Sequence, residues 1–206
     1  MAERLIEEGV YHCGFNSPKS YGGHSYFIQH PDGNWLVDSP RFIPHLVDWF
    51  RSRGGLKRIF LTHRDDVADA DLFAKEFDAE RIIHEADRSA APGAERLIRG
   101  REAVSMGPEW TLIPVPGHTR GHSVLLYKTF LFTGDHLEWD PEIPGLGAYR
   151  DYCWYDWNEQ TRSMERLLDY QFEWVLPGHG HRHKLPAPQM HAELTRLIDR
   201  MKQPAR

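Results

Sequence analysis

Four short segments put a ligand-type side chain behind a small or turn-forming residue: Thr62-His63, Pro116-Gly117-His118, Thr133-Gly134-Asp135 and Pro177-Gly178-His179. Each follows an apolar run of β character, and glycine at such a point lets the backbone turn sharply and come close to a bound group. Neutral imidazoles with one carboxylate form a good ligand shell for Zn²⁺ or Fe²⁺. Any one of these histidines reads equally well as a turn residue bonded to backbone. Four in this order, each at a strand end, point to metal chemistry. A metal there lowers the pKa of its bound water toward about 7 and polarises a substrate carbonyl. Asp65 or Asp66 then orients or deprotonates that water, and His179 bonds the substrate, donates to the leaving group or supports Asp135. Asp66 also reads as a helix cap. His122 and His136 lie beside the motifs and read as supporting neighbours. His24, His84, His181 and His183 receive no role, although His181 lies near the expected mouth of the site. The chain has 13 histidines in 206 residues, against a common share of roughly 2%.

Such side chains must be carried by rigid elements. Tyr26-Phe27-Ile28 and Trp35-Leu36-Val37, separated by His30-Pro31-Asp32-Gly33, read as a β-hairpin. Pro44 to Phe50 reads as a short helix, Arg58 to Thr62 as a buried strand, and Arg81 to His84 as another. Asp65 or Asp66 is expected to open a helix running to about Phe77. Further on, Trp110 to Pro116, Ser123 to Tyr127, Phe130 to Thr133 and Glu173 to Leu176 read as strands. Glu159 to Tyr170 reads as a helix, as does the final stretch with Met190, Leu194, Leu197, Ile198 and Met201 at helical spacing. No tandem repeat is visible.

Residues 137 to 158 hold Trp139, Tyr149, Tyr152, Trp154, Tyr155 and Trp157 among prolines and glycines. They read either as a pocket wall for a small organic substrate or as a loop packed on the core by its rings. Arg150 within it could meet a carboxylate or phosphate.

The bulk numbers fit one soluble domain over 1–206, or two halves sharing a core: 40% of residues are hydrophobic, 27% are charged, and the net charge is −5. A weakly acidic chain without a basic run is a poor nucleic-acid binder. No apolar stretch of about 18 residues offers a membrane span, and the acidic MAERLIEEGVYH lacks an apolar signal core, so the expected compartment is the cytosol. Two cysteines, Cys13 and Cys153, read as free thiols.

LTHRD, VPGHTRGHS, LFTGDH and LPGHG occur in the order and at the spacings of the metallo-β-lactamase superfamily, and the chain resembles most closely its glyoxalase-II-like branch, from Tyr26 to about His181. The resemblance implies an α/β fold, an αββα four-layer sandwich with metals at one edge. It also marks a departure. The family reads His-x-His-x-Asp-His in its first motif, whereas this chain reads His63-Arg64-Asp65-Asp66-Val67-Ala68. Asp65 takes the slot of the second histidine, and Val67 and Ala68 take those of the aspartate and last histidine, where neither can ligate. The family's first metal site then keeps His63, Asp65 and His118 with Asp135. The second keeps only Asp135 and His179, too few for tight Zn²⁺. One divalent metal ion, Zn or Fe, is therefore expected.

The leading expectation is a metal-dependent hydrolase of a small ester, thioester or related substrate, acting through a metal-bound water. His63, His118 and Asp135 also match a two-histidine, one-carboxylate iron triad. By resemblance to the persulfide dioxygenases of the superfamily, that suggests a mononuclear iron oxidoreductase acting on a sulfur compound. A third alternative is a non-catalytic metal-binding module. Glyoxalase II proper carries a C-terminal helical domain that binds glutathione, and only one helix is expected after the last motif here. Plant members of the branch carry a ferredoxin-like module beside this domain, which implies a ferredoxin-like redox partner; two cysteines are too few for a cluster within this chain.

Overall fold

A computed structural model describes residues 4–17 and 22–203, and the chain divides into two compact units, Met1–Ile98 and Arg99–Arg206. Unit 1 is built on a seven-stranded sheet in sequential order: β1 (Arg4–Glu7), β2 (Val10–Phe15), β3 (His24–Ile28), β4 (Trp35–Val37), β5 (Arg58–Phe60), β6 (Glu80–His84) and β7 (Arg96–Ile98). The first four strands pair antiparallel and the last four parallel. The expected hairpin is β3–β4, closed where Gly33 N donates to His30 O. Helices α1 (Pro44–Arg51) and α2 (Ala70–Phe77) bury Leu46, Val47, Phe50, Phe73 and Ala74 in one core with Phe27, Leu36 and Ile59 of the sheet. The alternate residues Tyr26, Ile28, Val37, Phe60 and Ile82 are buried too. Strands covered on both faces read as unbroken apolar runs rather than alternating ones.

Unit 2 carries a six-stranded sheet in the order β15-β14-β11-β10-β9-β8. Its strands are β8 (Val104–Gly107), β9 (Trp110–Pro114), β10 (Ser123–Tyr127), β11 (Phe130–Gly134), β14 (Trp174–Pro177) and β15 (His183–Lys184). Only β11 and β14 pair parallel. A small hairpin, β12 (Glu138–Asp140) with β13 (Gly145–Gly147), lies in the aromatic stretch. Helices α3 (Trp157–Arg166) and α4 (Ala187–Met201) bury Met164, Met190, Leu194, Leu197, Ile198 and Met201 with Ile113, Val124, Leu131 and Val175.

Two helix starts differ from the sequence reading. The helix expected from Asp65 or Asp66 begins at Ala70, with Asp69 at its N-cap. Asp69 turns its carboxylate to the backbone N–H of Phe42 instead of to its own helix. Asp66 is therefore not a cap. The helix expected from Glu159 begins at Trp157, where the Asp156 side chain accepts from Glu159 N, an N-cap bond. Strands β1, β2, β7, β8, β12, β13 and β15 were not anticipated; apart from β2, which lies between β1 and β3, these are short edge strands, which carry little periodic signal.

Candidate metal centre

In unit 1 the site residues gather at the C-terminal ends of the parallel pair β4–β5, where Val37 stands opposite Phe60. Ligand sites in α/β sheets favour the crevice outside strand carboxyl ends. Asp38 follows β4 and Thr62 follows β5, so the parallel register brings them together. Thr62 N and its Oγ1 both donate to the Asp38 carboxyl, at 2.8 and 2.9 Å. Asp38 holds a left-handed φ of 53°, a conformation that costs a non-glycine residue about 1–3 kcal/mol and persists where surroundings over-determine it. Its N–H is fixed on Phe60 O at 2.8 Å. Burial pushes the Asp38 carboxyl up to about 8, and the Asp66 carboxylate adds to the rise; His63 and the bonds from Thr62 oppose it.

His63 is fully buried, with Nδ1 2.9 Å from Thr62 Oγ1. Its Nε2 lies 3.9 Å from Asp65 and 4.0 Å from Asp66. These two carboxylates differ sharply. The Asp65 side chain is 46% exposed. Asp66 is buried, and its Oδ1 accepts from Asn16 Nδ2 at 2.5 Å. Asn16 is held in turn by the Gly23 N–H at 2.7 Å. A Cβ on Gly23 would stand 2.8 Å from Asp66 Oδ1 and 2.9 Å from Asn16 Nδ2. Glycine thus leaves the cradle in which Asn16 and Asp66 meet.

In unit 2 the parallel pair β11–β14 repeats the device. Gly134 stands opposite Pro177, so Asp135 and His179 leave neighbouring strand ends together. His179 Nδ1 meets Asp135 Oδ1 at 2.8 Å, and His118 Nε2 lies 3.6 Å from Asp135 Oδ2. One imidazole flanks each carboxylate oxygen. His118 is buried, whereas the His179 side chain is 35% exposed. His122, fully buried, takes the Asp135 backbone N–H on Nε2 at 3.1 Å. His136 is also fully buried and stacks on His122 with centroids 5.6 Å apart; burial pushes it down to about 3, with His118 adding to the fall. It is neutral at physiological pH.

The loop carrying His118 is held by its backbone. Trp154 N and Tyr155 N both donate to His118 O, and Asp156 N to Gly117 O. Cys153 donates its thiol proton to Gly117 O at 3.1 Å, and burial pushes that thiol up, away from nucleophile chemistry. Both cysteines are free, as expected. Helix α3 closes the loop from the other side. Ser163 Oγ donates to Pro116 O at 2.5 Å, and Gln160 Nε2 to His136 O at 3.0 Å. A Cβ on Gly117 would fall 2.3 Å from Gln160 Cα, so glycine is what lets helix and loop meet. The aromatic stretch does not pack on the core as a whole: Tyr149, Tyr152 and Tyr155 are exposed, and Trp154 is 65% exposed with its ring 6.1 Å from that of His118. Arg150 lies over the Trp157 ring. His84, given no role, accepts from Ala86 N and caps a 3-10 turn. His181 is tied by backbone, with its N–H on Glu138.

Sequence reading found His63, Asp65, Asp66, His118, Asp135 and His179. Within unit 1 the first three meet, and within unit 2 the last three meet. It missed Asn16, Asp38, Thr62 as a bonding residue, Gln160 and Ser163. Asp38 directly follows a β-run, as the candidate ligands do, and that was its one available signal. The donors present suit Zn²⁺ or Fe²⁺: an imidazole beside two carboxylates in unit 1, and a carboxylate between two imidazoles in unit 2.

Comparison with known proteins bears on the family and the fold. The family model described as the metallo-beta-lactamase superfamily matches residues 20–179. A beta-lactamase-like protein 2 homolog of Drosophila melanogaster is 24% identical over 82% of this chain, which spans 62% of that relative's length. Among solved structures, the metallo-beta-lactamase FIM-1 from Pseudomonas aeruginosa, in a mono-zinc form, has a TM-score of 0.72 at 15% identity, covering 98% of this chain and 96% of its own. TTHA1623 in a di-iron-bound form has a TM-score of 0.64 at 22% identity, covering 87% and 96%. The α/β fold is thus the one expected, and the chain belongs to the metallo-β-lactamase superfamily.

Proposed function

We propose that this protein is a metal-dependent hydrolase of a small ester, thioester or related substrate, with one divalent ion held by His63, His118 and Asp135, three of the family's ligand positions that the chain keeps. The observation that carries the reading is Asp135 flanked by His118 and His179, one on each oxygen. A carboxylate bracketed by imidazoles at two strand ends is a donor set in search of a cation rather than a surface ion pair. Residues 1–206 are taken as one functional domain because the family match runs through both units.

The ion would polarise the substrate carbonyl and acidify a water. The chain's residues supply the rest. Asp66, buried and steered by Asn16, is the better-ordered carboxylate for orienting that water or taking its proton. Asp65 is more exposed and stands beside His63 as an additional oxygen donor. His179 shares a proton with Asp135 through Nδ1 and, being partly exposed, can hydrogen-bond the substrate or protonate the leaving group. Trp154 and its neighbours form an aromatic wall fastened to the His118 backbone.

The donor set equally supports a second reading, an iron oxidoreductase of a sulfur compound with a ferredoxin-like partner, since two histidines and a carboxylate suit Fe²⁺ and the similar TTHA1623 was solved with two irons. Among the described residues no helix is long and apolar enough to cross a membrane. Protein purified without chelators should carry one metal per chain, lost in His118→Ala, and should hydrolyse thioesters in a thiol-release assay. Unchanged metal content in His118→Ala sinks the site. One iron per chain, with oxygen uptake on a persulfide and no thioester turnover, replaces the hydrolase by the oxidoreductase.

A further inference from the structure

We propose that Arg120, laid over the ring of Tyr155 beside the exposed Trp154, is a specificity residue: it takes a carboxylate carried on the non-reacting part of the substrate, whose flat apolar part rests on Trp154. The inference rests on the hydrolase reading for the reaction, but not for the binding.

The first observation is one of place. Arg120 closes the bend Gly117-His118-Thr119-Arg120, and its guanidinium carbon lies 5.3 Å from the centroid of the Tyr155 ring. The backbone N–H groups of Trp154 and Tyr155 both donate to the His118 carbonyl, at 3.1 Å. The strap that carries these rings is thereby fastened to the bend that carries His118 and Arg120. Tyr152, Trp154 and Tyr155 are all exposed, three rings within four residues, which is more open apolar surface than singly scattered side chains make. The Trp154 ring stands 6.1 Å from that of His118, so a group resting on it lies beside the candidate metal centre.

The second observation is one of charge. The chain has 30 acidic side chains against 25 basic ones, and guanidinium groups elsewhere find them: Arg58 pairs with Glu80, Arg81 with Asp71 and Glu95, Arg101 with Glu159, Arg196 with Glu193. Arg120 forms no ion pair among the described residues and lies over a ring instead. A cation–π contact occupies the face of a guanidinium and leaves its in-plane N–H fork open, the geometry that matches the two oxygens of a carboxylate. A net charge of −5 repels anions at long range, so an anionic substrate needs a local cation at the site. Arg150 offers a comparison. It too lies over a ring, that of Trp157 at 5.3 Å, but Trp157 is tied to the end of α4, its Nε1 donating to Met201 O at 3.2 Å. Arg150 has the charge without the ring next to Trp154.

The test needs no turnover. The full chain, with and without a chelator, is titrated with 2-naphthoate and with its neutral counterpart 2-naphthamide, followed on the NMR signals of the probe. Naphthoate should bind about tenfold more tightly than the amide, in both conditions. Arg120→Gln should abolish that preference and leave the amide unmoved, Arg120→Lys should restore it only in part because the fork is lost, and Trp154→Ala should weaken both probes alike. Equal affinity of the wild type for the two probes overturns the proposal without any variant. So does a preference that vanishes with the chelator, since the carboxylate then meets the metal, and so does an equal loss in Arg150→Gln, which would mean general attraction of charge. In turnover, Arg120→Gln should raise KM about tenfold for the succinyl thioester of N-acetylcysteamine and leave the butyryl thioester unchanged. A naphthoate preference with no thioester turnover upholds the binding role and sinks the hydrolase reading; turnover of both thioesters with no such preference does the reverse.

Discussion

In unit 1 the buried polar groups are held by other side chains: Thr62 on Asp38, Asn16 on Asp66. In unit 2 they are held largely by or through backbone. His122 bonds the Asp135 N–H, Ser163 the Pro116 carbonyl, Gln160 the His136 carbonyl, and residues 154 and 155 the His118 carbonyl. Both clusters stand at the C-terminal ends of a parallel strand pair, β4–β5 or β11–β14. The difference follows from what is buried. Unit 1 sinks carboxylates, which need donors aimed at them because an unpaired buried charge is costly. Unit 2 sinks imidazoles, which can stay neutral, so the loop's shape rather than its charge needs support. Side-chain substitutions should therefore act most strongly in unit 1, and changes at backbone contacts in unit 2.

The sharpest break of that contrast is Gly117→Ala. The added Cβ would meet helix backbone at 2.3 Å, which cannot swing aside. A loss of about 3–5 kcal/mol is expected, from overpacking of about 1–3 kcal/mol and about 1–3 kcal/mol of strain for a side chain at a φ of 155°, read as a large fall in the urea midpoint. A loss under 1 kcal/mol would show that the loop yields. Next comes Asn16→Ala, which takes the donor from a buried carboxylate and should cost about 1.5–3 kcal/mol. Asp66→Asn in the same background should recover part of the loss, and additivity of the two changes would refute the coupling. Ser163→Ala removes one neutral donor to Pro116 O and should cost about 1 kcal/mol in thermal melts. If it costs more than Asn16→Ala, the two units are not held by the different means described.

The smallest effect concerns His136. Its native ring resists protonation down to about pH 3, against an ordinary value of 6.5. Between those values the unfolded chain binds a proton that the folded chain refuses. This stability is thus fully present above pH 6.5 and is lost as the pH falls toward 3. From pH 7 to 6 the loss should be about 0.7 kcal/mol, and His136→Met should flatten that part of the pH profile. An unchanged slope would mean that the ring reaches water.

Much of the site was readable in one dimension. His63, His118, Asp135 and His179 each sit just beyond an apolar run, and glycine or threonine before them marks the turn. Strand β10 and hairpin β3–β4 were legible for the same reason: compact apolar runs bounded by turn chemistry. Two aspartates show where such reading stops. Asp66 looked like a cap because acidic residues commonly precede helices, yet the helix starts at Ala70 and Asp66 turns to Asn16, 50 positions away in the chain. Asp38 looked like a strand terminus and carried no motif. Its role arises from the parallel pairing of β4 with β5, which sets it against Thr62 across 24 residues of chain.

By itself, then, the sequence determined the residue types able to bind metal, their order and the family that order belongs to, because these are properties of local runs and spacings. Only the tertiary structure decided which carboxylate is buried and which loop is clamped by helix α3. Those outcomes depend on strand register and on contacts between distant residues, and neither is written in any short stretch of chain.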